Sequence, residues 1–303
     1  MIKSYTITTD YGGSIKLEMT RPEKSGFIIA SVEGLGPTKS NVNTTKTATD
    51  HGSKYNSARL DQRNITMSLI FCETATESIE DIRHKSYEYF PVNERIEIMI
   101  ETDKRVLKTE GYVETNEPNI YSSMEGCNIS ILCPDPFFYA INADRTSFSG
   151  VEPLFEFPFE NPSLEEPLLV FSAITNDIVK NVRYEGNFNA PITMTIHATG
   201  NVSNITVYNM KTHGLFKIDT AKLATMTGSE IITGDTIIID TTPGSRSATL
   251  IRNGESINIF NCINRDADWF IVGKGVNTFA YKADVGEDNL YFYIENKVVY
   301  TGV

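Results

Sequence analysis

Hydrophobic and polar residues alternate with a period of two through most of the chain. Between Asn64 and Cys72, Ile65, Met67, Leu69 and Phe71 fall on one face. Between Arg95 and Glu101, Ile96, Ile98 and Ile100 point one way and Arg95, Glu97 and Glu101 the other. Between Asn128 and Cys133, Ile129 and Ile131 alternate with Asn128 and Ser130. Antiparallel strands packed on one side and wet on the other produce this pattern. The rhythm changes once in the first half. Over residues 78–90, Ile79, Ile82, Ser86 and Phe90 form a stripe at helical spacing, flanked by Tyr87 and Tyr89. Thr76 or Ser78 can cap this helix, Glu77, Glu80 and Asp81 bring negative charge to its start, and Pro91 ends it.

The second half reads as nearly all β. Ile192, Met194, Ile196 and Ala198 alternate with Thr193, Thr195 and His197. Further strands are predicted over 204–210, 215–219, 236–241, 247–252, 256–260, 268–272, 277–283 and 289–295. Asn253-Gly254 between two of them is a type I′ hairpin turn. Short strands with turns at this density predict a β-sandwich, with Ile196, Ile238, Phe270 and Tyr293 in its core.

Two stretches fit neither pattern. Residues 34–63 open on Gly34, Gly36 and Pro37, run through Asn, Thr, Lys and Ser, and close on Arg59 and Arg63. Their apolar content is too low for a core element, so they form a long loop or an extended hairpin arm, usually a functional feature. From Asp144 to Glu166, Glu152, Glu156, Glu160, Glu165 and Glu166 interleave with Pro153, Pro158 and Pro162. Such a segment runs extended, and the alternation of Phe155, Phe157 and Phe159 makes part of it an edge strand. The chain thus divides into a domain over 1–140, an acidic Pro-containing connector over 141–165, and a β-sandwich over 166–303. The fold class is mainly β, with one packed helix and the loop or arm in the first domain.

Charge narrows the function. The 303 residues carry 27 Lys and Arg against 39 Asp and Glu, a net charge of −12. The excess is spread evenly, −5 over 1–140 and −7 over 141–303, so no surface is predicted to hold nucleic acid or anionic lipid. The longest stretch free of Asp, Glu, Lys and Arg, Gly186 to Met210, is rich in Asn, Thr and Gly and does not read as a membrane span. The opening Met1-Ile2-Lys3-Ser4-Tyr5-Thr6 has no apolar signal core, so no export is expected. Cys127 and Cys133 lie on one predicted strand about 20 Å apart, too far for a disulfide. With Cys72 and Cys262 they read as reduced, buried thiols.

No motif supplies chemistry. His51, His84, His197 and His213 have no metal-like spacing, and no nucleophile elbow or phosphate loop is present. Gly273-Lys274-Gly275 lacks the third glycine and the helix of a dinucleotide site and reads as a turn. Asp266 and Asp268 are followed by Trp269 and Phe270, where a calcium loop continues with Gly. Trp269, the only tryptophan, lies in an apolar run and reads as a mainly buried structural residue rather than a sugar-stacking one. No catalytic, cofactor-binding or metal-binding residue is assigned, and the chain does not read as an enzyme.

The order of segments in the first half resembles a known family. Glu77-Ser78-Ile79-Glu80-Asp81-Ile82-Arg83 and Tyr89-Phe90-Pro91 are followed by Arg95-Ile96-Glu97-Ile98, Gly111-Tyr112-Val113-Glu114, Glu117-Pro118-Asn119-Ile120-Tyr121 and Ile129-Ser130-Ile131-Leu132-Cys133-Pro134-Asp135-Pro136-Phe137-Phe138. This series resembles the N-terminal domain of the distal tail proteins (Dit, the siphophage tail-component family) of phages of Gram-positive bacteria. The second half resembles their C-terminal domain through Ile196-His197-Ala198-Thr199-Gly200, Thr242-Pro243-Gly244 and Asn264-Arg265-Asp266-Ala267-Asp268-Trp269-Phe270. The resemblance implies a structural role in a hexameric ring, formed by the N-terminal domains, that joins tail tube to tail tip and anchors the host-adsorption apparatus. The second domain is then a peripheral galectin-like sandwich.

The implied partners are copies of the chain itself, the tail tube protein, a tail-tip hub or tail-associated lysin-like protein, and receptor-binding proteins. The implied location is the tail tip of a virion or tail-like particle assembled in the bacterial host cytoplasm. Six such chains carry −72, six times −12, which suits a conduit that must not retain DNA. Glu80, Arg83, His84 and Tyr87, opposite the helix's apolar stripe, are the expected interface, with a plain solvated face as the alternative. The competing function is a carbohydrate-binding adhesion module of the tail tip. The second domain is expected to bind baseplate protein or nothing, rather than sugar.

Overall fold

The alternation of the first half becomes two sheets that share one strand. In the computed structural model, which describes residues 1–46, 48, 51–153, 172–176 and 178–303, the chain forms two units, Met1–Ile141 with Val299–Val303, and Asn142–Val298. The elements of the first half are β1 (Ile2–Thr9), β2 (Ser14–Glu18), β3 (Phe27–Glu33), β4 (Ser40–Thr45), β5 (Lys54–Leu60), β6 (Arg63–Phe71), α1 (Ile79–Tyr89), β7 (Arg95–Thr102), β8 (Val106–Pro118), β9 (Gly126–Cys133) and β10 (Phe138–Ser147). One sheet runs β2-β1-β7-β8, the other β8-β9-β6-β3. Near Gly111 and Tyr112, β8 passes from Ile96 and Arg95 of β7 to Leu132 of β9. A Cβ on Gly111 would lie 2.7 Å from Ile131 and 2.8 Å from the Cys133 Sγ, so this changeover leaves room only for glycine. Tyr5, Ile7, Ile96, Ile98 and Ile100 of one sheet are buried, as are Ile65, Met67, Leu69, Ile129 and Ile131 of the other.

α1 follows its predicted stripe. Ile82, Ser86 and Phe90 are fully buried, while Ile79 is half-buried. Ser78 is the cap: its side chain accepts from the Asp81 N–H, and Asp81 accepts from the Ser78 N–H, which satisfies two otherwise orphaned donors. At the other end, Asn116 Nδ2 donates to the carbonyls of Ser86 and Phe90 at 3.1 and 3.3 Å.

The second unit is a two-sheet sandwich. Its elements are β11 (Ser149–Pro153), β12 (Ser172–Asn176), β13 (Val179–Tyr184), β14 (Ala190–Ala198), β15 (Thr206–Asn209), β16 (Gly214–Lys217), α2 (Thr220–Thr227), β17 (Thr236–Asp240), β18 (Ser247–Arg252), β19 (Glu255–Asn258), β20 (Ile271–Val272), β21 (Gly275–Lys282) and β22 (Leu290–Tyr300). The order β19-β18-β17-β14-β22 forms one layer and β13-β21-β15-β16 the other. Rings bridge the layers: Tyr281 of β21 meets Phe292 of β22 at 5.4 Å, with Phe148 against both. Asn253 and Gly254 have φ of 52° and 83°, as a type I′ turn between β18 and β19 requires. The predicted connector from residue 154 onward, including Phe155, Phe157 and Phe159, lies outside the described residues.

Several details differ from the sequence reading. Ile238 and Tyr293 are only half-buried; Ile237, Ile239, Phe292 and Ile294 face the core instead. The runs Thr-Ile-Ile-Ile-Asp and Tyr-Phe-Tyr are apolar at both phases, so alternation cannot fix which phase points inward. A second helix, α2, stands where no helix was expected. It is short, is capped by Asp219 through the N–H groups of Ala221 and Lys222, and ends on Gly228 in the left-handed region. The predicted strand over 268–272 is reduced to Ile271–Val272. Trp269 precedes it in irregular chain and is half-buried. No described helix is long and apolar enough to cross a membrane.

Candidate assembly interface

The segment 34–63 contains a hairpin that projects without a core. β4 pairs with β5 alone, in register from Ser40↔Leu60 to Thr45↔Lys54. Every residue of both strands except Leu60 is exposed, Val42 by 52% and Tyr55 by 62%. Polar cross-ties hold the pair, Asn56 Nδ2 to Thr45 Oγ1 at 2.6 Å and Ser40 Oγ to the Arg59 carbonyl at 3.3 Å. An isolated two-stranded hairpin is at best marginally stable in water, and its outer edges are free to pair with another sheet. The arm is also the basic part of an acidic protein. Residues 39–60 hold Lys39, Lys46, Lys54 and Arg59 against Asp50, a net +3, which leaves −15 on the rest of the chain. None of these four cations joins an ion pair among the described residues.

The helix places Glu80, Arg83, His84 and Tyr87 together on one face. Glu80, His84 and Tyr87 are exposed, and the His84 ring meets Tyr87 edge-on at 5.7 Å. Arg83 is different: 20% exposed, it donates to Glu125 at 3.0 Å and lies 3.6 Å from Glu80. It therefore ties α1 to the loop between β8 and β9. That loop exposes Ile120, Tyr121 and Met124 by 43%, 95% and 66%. Sequence reasoning passed over this apolar loop, although Ile-Tyr-Ser-Ser-Met between two strands is an audible signal of a tip not buried in its own sheet.

In the second unit, Trp269 stacks on Phe260 at 5.3 Å and 19°, meets Phe216 edge-on, and has the Arg246 guanidinium 5.4 Å from its ring. Phe260 is 43% exposed. Tyr208, Tyr281 and Tyr291 do not form one stacking surface, because Tyr281 is buried in the core. His197 bonds Thr236 Oγ1 through Nδ1 at 2.9 Å and stacks on Tyr291. Asp268 accepts from the Leu215 N–H. Among the described residues no group of three His, Cys, Asp or Glu is placed to hold a metal ion. Burial pushes the Cys127 and Cys133 thiols up to about 12 and about 11, far from a reactive thiolate. The described residues thus expose three distinct surfaces: a bare basic hairpin, an apolar loop beside a helix face, and an aromatic pair on the sandwich.

Comparison with known proteins bears on the resemblance read from the sequence. Residues 185–293, which run from just before β14 to the start of β22, match the family described as siphovirus-type tail component, C-terminal domain. The whole chain superposes on the crystal structure of the SPP1 Dit (gp 19.1) protein, described as a paradigm of the hub adsorption apparatus in phages infecting Gram-positive hosts. The TM-score is 0.63 at 12% identity, covering 98% of this chain and 99% of that one. Chains of the phage p2 baseplate, in activated conformations with calcium and with strontium, align at 11% identity with TM-scores of 0.44 and 0.41. They cover 98% and 96% of this chain, and 98% and 97% of theirs. No curated protein matches the chain. The mainly β fold is similar to that of the SPP1 Dit protein, and residues 185–293 of the second unit carry the sequence pattern of the family's C-terminal domain.

Proposed function

We propose that the protein is a structural distal tail protein, a baseplate-hub component that forms a hexameric ring, joins the tail tube to the tail tip and anchors the host-adsorption apparatus. The observation that carries this reading is the end-to-end likeness of fold to a hub protein, both units included. The ring contacts come from the first unit and its arm. A +3 hairpin on a chain that is otherwise −15 is drawn to the acidic body of a second copy, and its bare strand edges supply pairing on arrival. The tail tube and the tail-tip hub or lysin-like protein bind the two faces of the ring. Receptor-binding proteins attach at its periphery, near the sandwich. The helix face of Glu80, His84 and Tyr87, with the loop at Tyr121, is a second contact in the assembly. The particle is a virion tail or a tail-like particle, assembled in the bacterial host cytoplasm.

The test is a native mass measurement on the full chain, alone and co-expressed with tube and hub proteins. A hexamer of 33.8 kDa chains has a mass of about 203 kDa, six times the monomer. The triple variant Lys39→Glu, Lys54→Glu, Arg59→Glu turns the arm from +3 to −3 and is expected to stay folded and fail to assemble. A wild-type chain that remains monomeric in every combination sinks the ring. A triple variant that assembles like wild type at low salt, where charge effects are largest, removes the arm from it.

A further inference from the structure

The root of the arm is held by a residue whose burial nothing in its local sequence explains. Arg63 opens β6 with two residues between it and the end of β5, and it is 1% exposed. Its guanidinium donates only to main-chain carbonyls. Nε and Nη2 reach Pro136 at 2.9 and 2.6 Å, Nη1 reaches Gly36 at 2.7 Å and also Gly34, and Nη2 reaches Thr301 at 2.7 Å. The Phe138 ring lies 4.2 Å from Cζ. No carboxylate forms an ion pair with it among the described residues. A buried cation without a counter-ion is tolerated only when every donor is engaged, and the five-donor fork of arginine does this where the point charge of lysine does not.

These carbonyls come from three distant parts of the chain. Gly34 and Gly36 begin the arm, Pro136 precedes β10, and Thr301 follows β22, the strand by which the chain returns to the first unit. The carbonyl between the two arm glycines, that of Leu35, accepts from the Val303 N–H at 3.0 Å. Approach is tight: a Cβ on Gly302 would lie 3.1 Å from the Leu35 oxygen, and one on Gly34, whose φ is 83°, would overlap the Asn64 carbonyl. Three consecutive arm-root carbonyls are thus engaged, two by Arg63 and one by the returning segment.

We propose that Arg63 is a positioning residue for assembly: with residues 301–303 it locks the arm root, so the strand returning from the second unit fixes where the arm points. The importance of that direction rests on the reading of the arm as a ring contact. The lock itself is tested without any partner, by hydrogen exchange on the full-length chain. Arg63→Lys keeps the charge but not the fork. Val303→Pro removes one N–H and touches nothing at Arg63. Each is expected to speed exchange at both 40–45 and 299–301, Arg63→Lys by about tenfold or more for its lost charge-assisted bonds and Val303→Pro by about twofold to tenfold for one lost neutral bond, with β7 unchanged. Faster exchange confined to the substituted segment overturns the lock. Should Arg63→Lys unfold the first unit, Val303→Pro alone decides the matter. Native mass then separates the two ideas. Loss of both protection and assembly supports the lock and the ring contact together. Loss of protection with normal assembly keeps the lock and overturns the arm as a ring contact.

Discussion

Replacing Ile82 by alanine isolates what holds the helix to its sheets. The side chain is fully buried in the middle of α1, and it packs on main chain as well as side chains. A Cβ on Gly26 would lie 2.8 Å from Ile82 Cδ1 and Cγ1. That main chain cannot follow a shrinking neighbour, because the Gly26 N–H is bonded to the Pro22 carbonyl at 2.9 Å and the Gly26 carbonyl accepts from Cys72 at 2.8 Å. Loss of three carbons therefore leaves most of its volume as a cavity. Isoleucine-to-alanine changes in cores cost ~2–5 kcal/mol, rising with residual cavity, so ~3–4 kcal/mol is expected here. In a unit of this size that corresponds to roughly 10 °C in Tm. The assay is urea unfolding followed by far-ultraviolet circular dichroism, with Ile82→Val as the graded control at ~0.5–1.5 kcal/mol. The tryptophan signal marks the untouched unit, because Trp269 lies in the second one. A loss below ~1 kcal/mol with an unchanged slope, the range of ordinary surface changes, refutes the claim that Ile82 anchors the helix.

Two further outcomes follow from titratable groups. The hydrogen bonds from Ser78 hold the Asp81 carboxyl below its ordinary value of 3.8. A depressed carboxylate stabilises the fold above its unfolded value and loses that contribution as pH falls through its folded one. The stability gap between wild type and Asp81→Asn is therefore constant above about pH 5 and closes in stronger acid; a gap that persists unchanged at about pH 2 rejects the capping box as its source. Burial raises the thiols of Cys127 and Cys133 to about 12 and about 11, and Cys262 is also raised. Intact-mass analysis after alkylation of the native protein at mildly alkaline pH should find a single adduct, at half-buried Cys72; labelling of Cys127 at a comparable rate contradicts its burial.

What the sequence shows depends on how local the cause is. The helix and the strands with one apolar phase follow from neighbours a few residues away and appear as read, and of the two caps the sequence offers, Thr76 and Ser78, the helix uses Ser78. The hairpin was one of two readings of 34–63, since low apolar content excludes a core but does not choose between loop and arm. Where both phases are apolar, as at Ile237-Ile238-Ile239, facing is decided by the partner sheet. Trp269 reads as mainly buried from its apolar neighbours, but the groups that meet its ring, Phe260 and Arg246, come from other parts of the chain. Arg63 is the extreme case. Next to Arg59 it reads as the end of a polar stretch, and only carbonyls up to 238 residues away make it a buried residue. Arg83 shows the reverse limit. It sits on the exposed helix face by periodicity, but its bond to Glu125 gives it a structural task there.

The arm and its root pose opposite physical problems, and together they suit an assembly element. The hairpin buries nothing of its own, so ordering it costs ~1–2 kcal/mol of backbone entropy per residue that its own contacts barely offset. If the arm were also free to swing at its base, a partner would have to supply that further ordering at each contact. A root in which Gly34, Leu35 and Gly36 all have bonded carbonyls removes the swing before any partner arrives. Preorganisation of this kind lowers the entropic cost of association without adding a contact. Under the same proposal the placement of charge acts at an earlier stage: cations at 39, 46, 54 and 59 on an acidic chain speed encounter with another copy while like-charged bodies repel. Under the proposed function, pairing by the arm edge is the contact that brings two acidic bodies together, and a change at Arg63 reaches that contact through the direction of the arm.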